Sequence, residues 1–333
     1  MSMSMNVGGQ AVIEGVMIRS PERVSTAVRR VNGSILVKDE NFRPLVKRYE
    51  SLDIPVVRGA LSFFEMLLLG IKTLNFSAEV AAHDSEEKPS GKTDRPISNS
   101  KGFYGLSLVL TALLAVVLGV AVFFFTPLVI TSLLGIDRGA LPFNFVAGMI
   151  RMAMFILYIY ALSRFKEFRR IFEYHGAEHK SIFAYELDQD LTVSNARMHS
   201  TKHPRCGTSF ILIVVLFAIL VYSISDTVFA MIVGRPPVLL ERFTVHLMLL
   251  PLVAGGSYEL LKLSSKARHH PIVAALVKPG LILQRITTQE PDDQMLEVAL
   301  CALSHSVGKP YPGAVIYDGK LESVRIRNES VSK

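Results

Sequence analysis

Long apolar runs dominate the middle of the chain. A helix needs about 20 residues to cross about 30 Å of hydrocarbon. Four runs meet that length, namely the segments 103–134, 143–163, 209–233 and 238–263. Pro127 is expected to kink or end the first of them. The pattern predicts a mainly α-helical, polytopic membrane protein with about four transmembrane helices, paired in the segments 103–163 and 209–263.

A fifth apolar segment, 59–76, precedes these helices, but Glu65 and Lys72 interrupt it. Its longest uninterrupted part, 66–71, is too short to span a bilayer. We therefore expect an interfacial or re-entrant helix at this position. Residues 77–102 follow, and most of them are Ser, Lys, Glu, Pro, Gly and other small or polar types. That composition predicts a flexible linker.

The first 58 residues have the pattern of short strands. The segments 26–31 and 34–38 flank Asn32-Gly33, which is a strong signal for a β-hairpin. Two short apolar runs, 11–13 and 16–18, lie before it. We expect a small β-containing region over residues 1–58.

Two further helices are predicted outside the apolar segments. Residues 165–186, in the loop 164–208, are compatible with a helix. In the C-terminal region 264–333, proline and carboxylates at 290–293 favour a helix start, and Gly308 suits its end. Residues 320–333 have the composition of a loose polar tail.

Composition and charge agree with a membrane protein. Half of the residues are apolar and 20% are charged, against about 25% charged in soluble domains. Basic residues are frequent in 1–58, 164–208 and after 261, whereas Arg138 and Arg235 are the lone basic residues of the short loops 135–142 and 234–237. The positive-inside rule then places both termini and the loop 164–208 in the cytoplasm. The net charge of +7 fits anionic lipid headgroups, nucleic acid or simply this positive-inside bias, and the distribution of the basic residues favours the last. No specific nucleic-acid motif accompanies the charge.

The candidate chemistry lies in the loop 164–208. His175 and His179 are four residues apart, so they share one face of a helix, and Glu178 lies on the same side. This H-x-x-E-H pattern is typical of inverted zinc-protease sites. His203 and Cys206 come just before the next apolar segment, so both groups meet at the cytoplasmic membrane surface. The sequence predicts a divalent metal site there, with zinc as the expected ion.

Two forms of this site are open. Three histidines and Cys206 make a closed, structural site. Two histidines with one carboxylate leave a position for water, and Glu178 then acts as the general base. Glu259, after Gly255-Gly256, is a further candidate ligand. The plain alternative is that the histidines are solvated helix residues and that Cys206 is a small buried filler.

A second pair of polar residues lies within the apolar segments. Arg151 and Asp226 fall at similar depth, and charges in a membrane normally find partners. We expect them to form an interhelical ion pair, with an ion or proton path as the alternative. His246 lies too near the other side of the membrane to join the histidine site.

Four motifs together resemble the YqhQ-like family of bacterial multi-pass membrane proteins. They are GGQAVIEGVMIR at 8–19, YHGAEHK at 174–180, HPRCGTSF at 203–210 and EPDD at 290–293. The resemblance implies a bacterial inner-membrane location and a metal-dependent enzyme whose substrate is not established. It also suggests Gln10, Glu14, Asp292 and Asp293 as neighbours of the site.

Three functions from different classes fit these features. The first is a metal-dependent hydrolase that acts on a peptide or lipid-linked substrate at the cytoplasmic face. The second is a non-enzymatic assembly, insertion or scaffolding factor, associated with ribosome or translocon, whose metal is structural. The third, a transporter, rests on Arg151 and Asp226 alone.

Overall fold

The structure, a computed structural model, describes residues 7–86, 101–136, 140–204, 206–266, 271–319 and 321. Five strands form one sheet: β1 (Gly8–Val12), β2 (Gly15–Arg19), β3 (Arg23–Arg29), β4 (Ile35–Asn41) and β5 (Ala314–Ile316). They lie side by side in the order of their numbers. The first four are antiparallel neighbours, and β5 is parallel to β4.

Most of the remaining described chain is helical. The helices are α1 (Leu45–Arg48), α2 (Val57–Glu86), α3 (Lys101–Val120), α4 (Thr126–Leu133), α5 (Ala140–Leu162), α6 (Lys166–Glu186), α7 (Val193–Arg197), α8 (Gly207–Val233), α9 (Leu239–Met248), α10 (Leu250–Lys266), α11 (Pro271–Thr287) and α12 (Asp293–Ser306). A 3-10 turn, Glu50–Leu52, precedes α2, and a π-helical segment, Ala121–Phe125, joins α3 to α4. The predicted mainly helical fold with a small N-terminal sheet is confirmed.

Helices cover both faces of the sheet. Side chains alternate between the faces of a strand. Val16 and Ile18 of β2 therefore pack into one apolar cluster with α6 and α12, whereas Met17 packs into a second cluster with α2. The result is a three-layer unit, with α2 on one side of the sheet and α6 with α12 on the other. The sequence pattern predicted the strands but not this double cover.

Two local signals in the sequence are confirmed. The predicted hairpin is formed by β3 and β4, which pair antiparallel around Asn32-Gly33. Asp292 is the N-cap of α12, and its side chain accepts the N–H of Met295 at 2.8 Å. The predicted polar tail 320–333 lies outside the described residues apart from residue 321. Strand β5, just before it, was not predicted.

Helix α2 is longer than the predicted segment 59–76. It continues to Glu86, so residues 77–86 of the predicted linker are helical, and 87–100 lie outside the described residues. The helix continues because Phe76 and Val80 extend its apolar contact with the sheet. A buried ion pair between Arg30 and Asp84 fastens its last turns.

The other side of α2 exposes large apolar side chains. Phe64, Leu67, Leu68 and Ile71 are each more than 40% exposed. An interfacial helix would present such a stripe to lipid. Its interfacial or re-entrant placement stays a prediction.

Three helical stretches of the described chain are long and apolar enough to cross a membrane: Leu113–Leu133, Ala140–Leu162 and Ile213–Val233. The fourth predicted span is divided. Helices α9 and α10 meet at a bend of 53° and amount to one span if they cross together. Pro251 explains the break, because its ring clashes with the carbonyl four residues earlier and it lacks an N–H. Three or four apolar helices indicate association with a membrane.

The expected ion pair between Arg151 and Asp226 is not formed. Arg151 donates instead to the carbonyl of Phe123 at 3.0 Å, and its guanidinium lies over the ring of Phe124. Both residues belong to the π-helical segment, whose altered hydrogen bonding leaves carbonyls for other donors. Pro127 is the second residue after this segment, so the predicted irregularity of this span takes the form of a π-helical insertion.

Asp226 is satisfied by other helices. Its carboxylate contacts Arg242 at 3.2 Å and His246 at 3.0 Å, both on α9, and accepts the amide of Asn144 on α5 at 2.8 Å. All four side chains are buried. Depth alone suggested the wrong partner, because α9 carries Arg242 and His246 toward the same place. The transport hypothesis thereby loses the pair on which it rested.

This arrangement predicts which pair is energetically coupled. A double-mutant cycle of Asp226→Ala with Arg242→Met should give a coupling of about 1–3 kcal/mol, because the two charges are in contact and buried. The same cycle with Arg151→Met should give a clearly smaller value. The measurement is unfolding of the purified protein in detergent. A larger coupling to Arg151 than to Arg242 would contradict the structure.

Candidate metal centre

Helix α6 carries the H-x-x-E-H motif on a face that is turned toward the interior. Its second half packs against α12 and β1, and Glu178 and His179 are only 4% and 2% exposed. Ionisable side chains are rarely buried without partners. The polar atoms of these buried side chains therefore need partners within the protein.

His175 presents one particular ring nitrogen to its surroundings. Its Nδ1 lies 2.8 Å from the backbone carbonyl of Thr287, at the end of α11. A carbonyl oxygen can only accept, so Nδ1 carries the proton. The lone pair of the neutral ring is then on Nε2, which lies 3.4 Å from the sulfur of Cys206.

His179 repeats the same arrangement one turn later. Its Nδ1 lies 2.5 Å from the carbonyl of Thr201, so its Nε2 is also the free acceptor. Burial, the largest influence, lowers the pKa of His179, and this favours the neutral ring. In metal sites the other ring nitrogen is nearly always held in this way.

Cys206 completes a group of three. It is the N-cap of α8, and its sulfur meets both imidazoles. The candidate ligand atoms of His175, His179 and Cys206 all lie within 4.8 Å of one another. The thiolate is the form of cysteine that binds metal.

The donor set fits a zinc-class ion. Nitrogen and thiolate bonds of about 2.0–2.3 Å in tetrahedral geometry place the two nitrogens and the sulfur about 3.3–3.6 Å apart. The distance of 3.4 Å from His175 to Cys206 already has that value. Small shifts of side chains would bring the third atom into range. These three residues could hold the ion and leave one position unfilled.

The structure places His203 beside this trio but outside it. Its ring is 5.7 Å from that of His179, packs on Phe183 at 4.3 Å, and has Nε2 3.4 Å from a carboxylate oxygen of Glu186. Its backbone is clamped at both N–H and C=O by the buried side chain of Gln284. The predicted fourth ligand is thus oriented toward Glu186.

Glu178 lies next to the trio with few compensating contacts. Its carboxylate is 3.9 Å from Nε2 of His175. Burial, the strongest effect, raises its pKa, whereas His175, His203 and the backbone N–H of Gly9 act in the opposite direction. A raised pKa suits a group that accepts and returns protons.

A cavity of about 460 Å³ opens beside these residues. We call it the histidine cavity. It is lined by the motif residues, by apolar side chains of α6, and by the N-terminal segment 7–11; the polar side chains in its wall are His175, Glu178, His179, His203, Cys206 and Gln10. A small group at the trio would therefore be reachable from outside.

Glu259 lies elsewhere. Its two carboxylate oxygens accept from Arg58 at 2.6 and 2.5 Å. The neighbouring glycines serve close packing of α10 rather than flexibility, since a Cβ on Gly255 would lie 2.1 Å from the carbonyl of Val56. With its charge already paired and α10 fixed at this crossing, Glu259 does not line the histidine cavity.

The suggested neighbours divide in the same way. Gln10 lines the cavity, but its amide donates to α2 at Gly70 and Thr73. Glu14 forms a two-pronged ion pair with Arg170.

The acidic pair before α12 has structural partners as well. Asp292 caps α12, and Asp293 pairs with Arg197. Of the four suggested neighbours, Gln10 is thus the one that borders the cavity.

Several positioning groups had no signal in the sequence. The carbonyls of Thr201 and Thr287 and the N–H of Gly9 are backbone atoms, and a motif does not reveal them. Gln284 could have been noticed as a polar residue at a fully buried helical position, but α11 itself was not predicted.

Gly176, inside the motif, lets α6 approach the segment after α11. A Cβ at this position would lie 2.0 Å from the carbonyl of Gln289. We predict that Gly176→Ala destabilises the protein by about 1–3 kcal/mol, as overpacking does. The measurement is thermal unfolding in detergent. Gly119→Ala is the control, because nothing lies within 4 Å of its Cβ; equal effects of both substitutions would contradict the close approach.

Comparison with known proteins places this architecture in a family. Residues 54–309 match the family described as "Protein of unknown function (DUF1385)". The chain is 35% identical to the uncharacterized protein YqhQ of Bacillus subtilis (strain 168) over 301 residues, which are 88% of this chain and 89% of the relative. No solved structure matches. The resemblance carried by the four motifs is therefore confirmed, and the chain belongs to the DUF1385 family.

Proposed function

We propose that this chain is a membrane-associated, metal-dependent hydrolase whose ion is held by His175, His179 and Cys206. The observation that carries the proposal is the trio itself: three donor atoms converge, and two of them are fixed in the ligating tautomer by backbone carbonyls. Three protein ligands with one open position are typical of catalytic zinc sites, whereas closed sites have four.

A bound zinc-class ion would polarise a carbonyl or phosphoryl oxygen and lower the pKa of water. The rest of the chemistry falls to the chain. Glu178 stands beside the trio, where it can take a proton from water and return it to a leaving group. The N–H of Gly9 donates to this carboxylate and holds it in place. The histidine cavity gives a substrate access to the open position.

The location of the site limits the classes of substrate that can reach it. The trio includes the N-cap of α8, the helix that contains the candidate span Ile213–Val233. A site at the end of a span would act at the membrane surface. With the predicted cytoplasmic placement of the loop 164–208, the substrate is a peptide or lipid-linked group at the inner face.

Metal binding has a direct test. Full-length protein purified in detergent and dialysed against zinc should retain about one ion per chain. His175→Ala and His179→Ala should each lose most of the bound zinc, because each substitution removes one of the three proposed ligands. His199→Ala is the matched control, since its Nε2 pairs with Gln189 and stays outside the trio. Equal metal content in all four proteins would contradict the proposal.

The open position is tested separately with cobalt(II) in place of zinc. The visible spectrum should show a thiolate band that is lost in Cys206→Ser, and it should change when a small anion such as azide is added. Glu178→Gln should keep the metal and the band. A spectrum that does not change when azide is added indicates a closed site with four protein ligands. That result would favour the alternative in which the metal only staples α6 to α8 in a non-enzymatic assembly factor.

A further inference from the structure

A second cavity lies on the other side of the N-terminal strand. It has a volume of about 600 Å³ and shares Val7, Gly8, Gly9 and Gln10 with the histidine cavity. We call it the arginine cavity. Its cationic lining residues are Arg19 on β2 and Lys47 on α1, and Tyr258 of α10 borders it as well. Strand β1 pairs with β2 alone, so it forms a thin wall between the two cavities.

Arg19 is an unusual cation. Its guanidinium is stacked on Phe42 at 4.5 Å, and one of its nitrogens meets the sulfur of Met66 at 2.8 Å. Among the described residues no carboxylate forms an ion pair with it. Glu65 acts on it from a distance, but an oxygen of Glu65 accepts the N–H of Leu45. Burial lowers the pKa of Arg19, which marks a charge that has lost part of its water.

The position of Arg19 leaves the guanidinium accessible from the cavity. It is paired across the sheet with Gly8, and a Cβ added to Gly8 would meet nothing within 4 Å. Lys47 is exposed at the cavity's rim and, within the described part of the chain, likewise has no ion-pair partner. Other cations nearby differ: Arg58 and Lys72 are paired with Glu259 and Glu40.

A partly desolvated guanidinium and an ammonium without an ion-pair partner, lining the same cavity, are suited to phosphate. Arginine offers a planar fork of donors for phosphate oxygens, and lysine adds a point charge. Membrane surroundings favour a lipid as the source. Met66 in the cavity wall precedes the exposed apolar residues Leu67 and Leu68 of α2, and Tyr258 belongs to the candidate fourth span.

We propose that the arginine cavity binds the phosphate headgroup of an anionic membrane lipid, with Arg19 and Lys47 as its ligands. The shared wall would present the headgroup beside the histidine cavity. Only the further step, that this lipid is a substrate of the histidine site, rests on the proposed function. Phosphate binding itself does not depend on the metal.

The test uses full-length protein in a neutral detergent and titrates it with short-chain phosphatidate. Binding should be saturable. Arg19→Gln and Lys47→Gln should each weaken it, by about tenfold or more for Arg19, as expected for the loss of charge-assisted hydrogen bonds. Matched controls are Arg23→Gln and Arg48→Gln, which remove the same charge from nearby positions outside the cavity lining. The controls should change binding by less than about twofold.

Three results would overturn the proposal. They are the absence of saturable binding, equal weakening by all four substitutions, and equal affinity for a zwitterionic short-chain phosphatidylcholine. Inorganic phosphate is a further arm: if it binds as tightly as phosphatidate, the ligand is a soluble phosphate and the lipid assignment is wrong. Thermal unfolding of each variant checks that it is folded.

The two proposals can fail separately. Arg19→Gln should retain its zinc, and His175→Ala should still bind phosphatidate. If the wild-type protein binds phosphatidate but no zinc, the hydrolase proposal is wrong and the lipid site stands. If it binds zinc but no phosphatidate, the lipid site is wrong and the metal site stands.

Discussion

The hydrogen bonds from the Nδ1 atoms of His175 and His179 to backbone carbonyls determine what the histidine motif can do. Each bond fixes a tautomer, so both Nε2 lone pairs face Cys206. The acceptors lie outside α6: Thr287 ends α11, and Thr201 lies in the segment between α7 and α8. The motif therefore works only where α6 is held against both, and the close contact of α6 with the carbonyl of Gln289 is part of that constraint.

The sheet contributes to the same site from the opposite side. Its edge strand β1 supplies the N–H of Gly9 to Glu178 and the wall between the two cavities. The sheet can place this strand because α2 packs on one of its faces and α12 packs on the other. The sheet unit is thus joined to the apolar helices at the point where the polar side chains meet.

Local patterns in the sequence were sufficient to predict many of the secondary-structure elements and the histidine face of α6. Asn32-Gly33 gave the hairpin, the carboxylates before α12 gave its start, and the spacing of His175 and His179 gave one helix face. The predictions that were wrong concern which side chains meet in the tertiary structure. Depth along a span suggested Asp226 as the partner of Arg151, but a π-helical segment offered carbonyls to Arg151, and α9 brought Arg242 to Asp226. Glu259 was expected near the histidines for the same reason. It pairs instead with Arg58 of α2, and the sequence did not predict that α2 crosses α10 at this point.

The burial of Glu178 bears on whether the proposed metal site is catalytic or purely structural. A structural site needs four good ligands, and the chain places a third histidine nearby yet turns its Nε2 toward Glu186. It also keeps a carboxylate in a cavity wall, where burial opposes its charge. Apolar residues of similar size are often as stable as buried ionic groups, or more so. A purely structural metal site would gain no stability from the buried charge of Glu178, whereas the proposed hydrolase would use such a group to accept and return protons beside the metal.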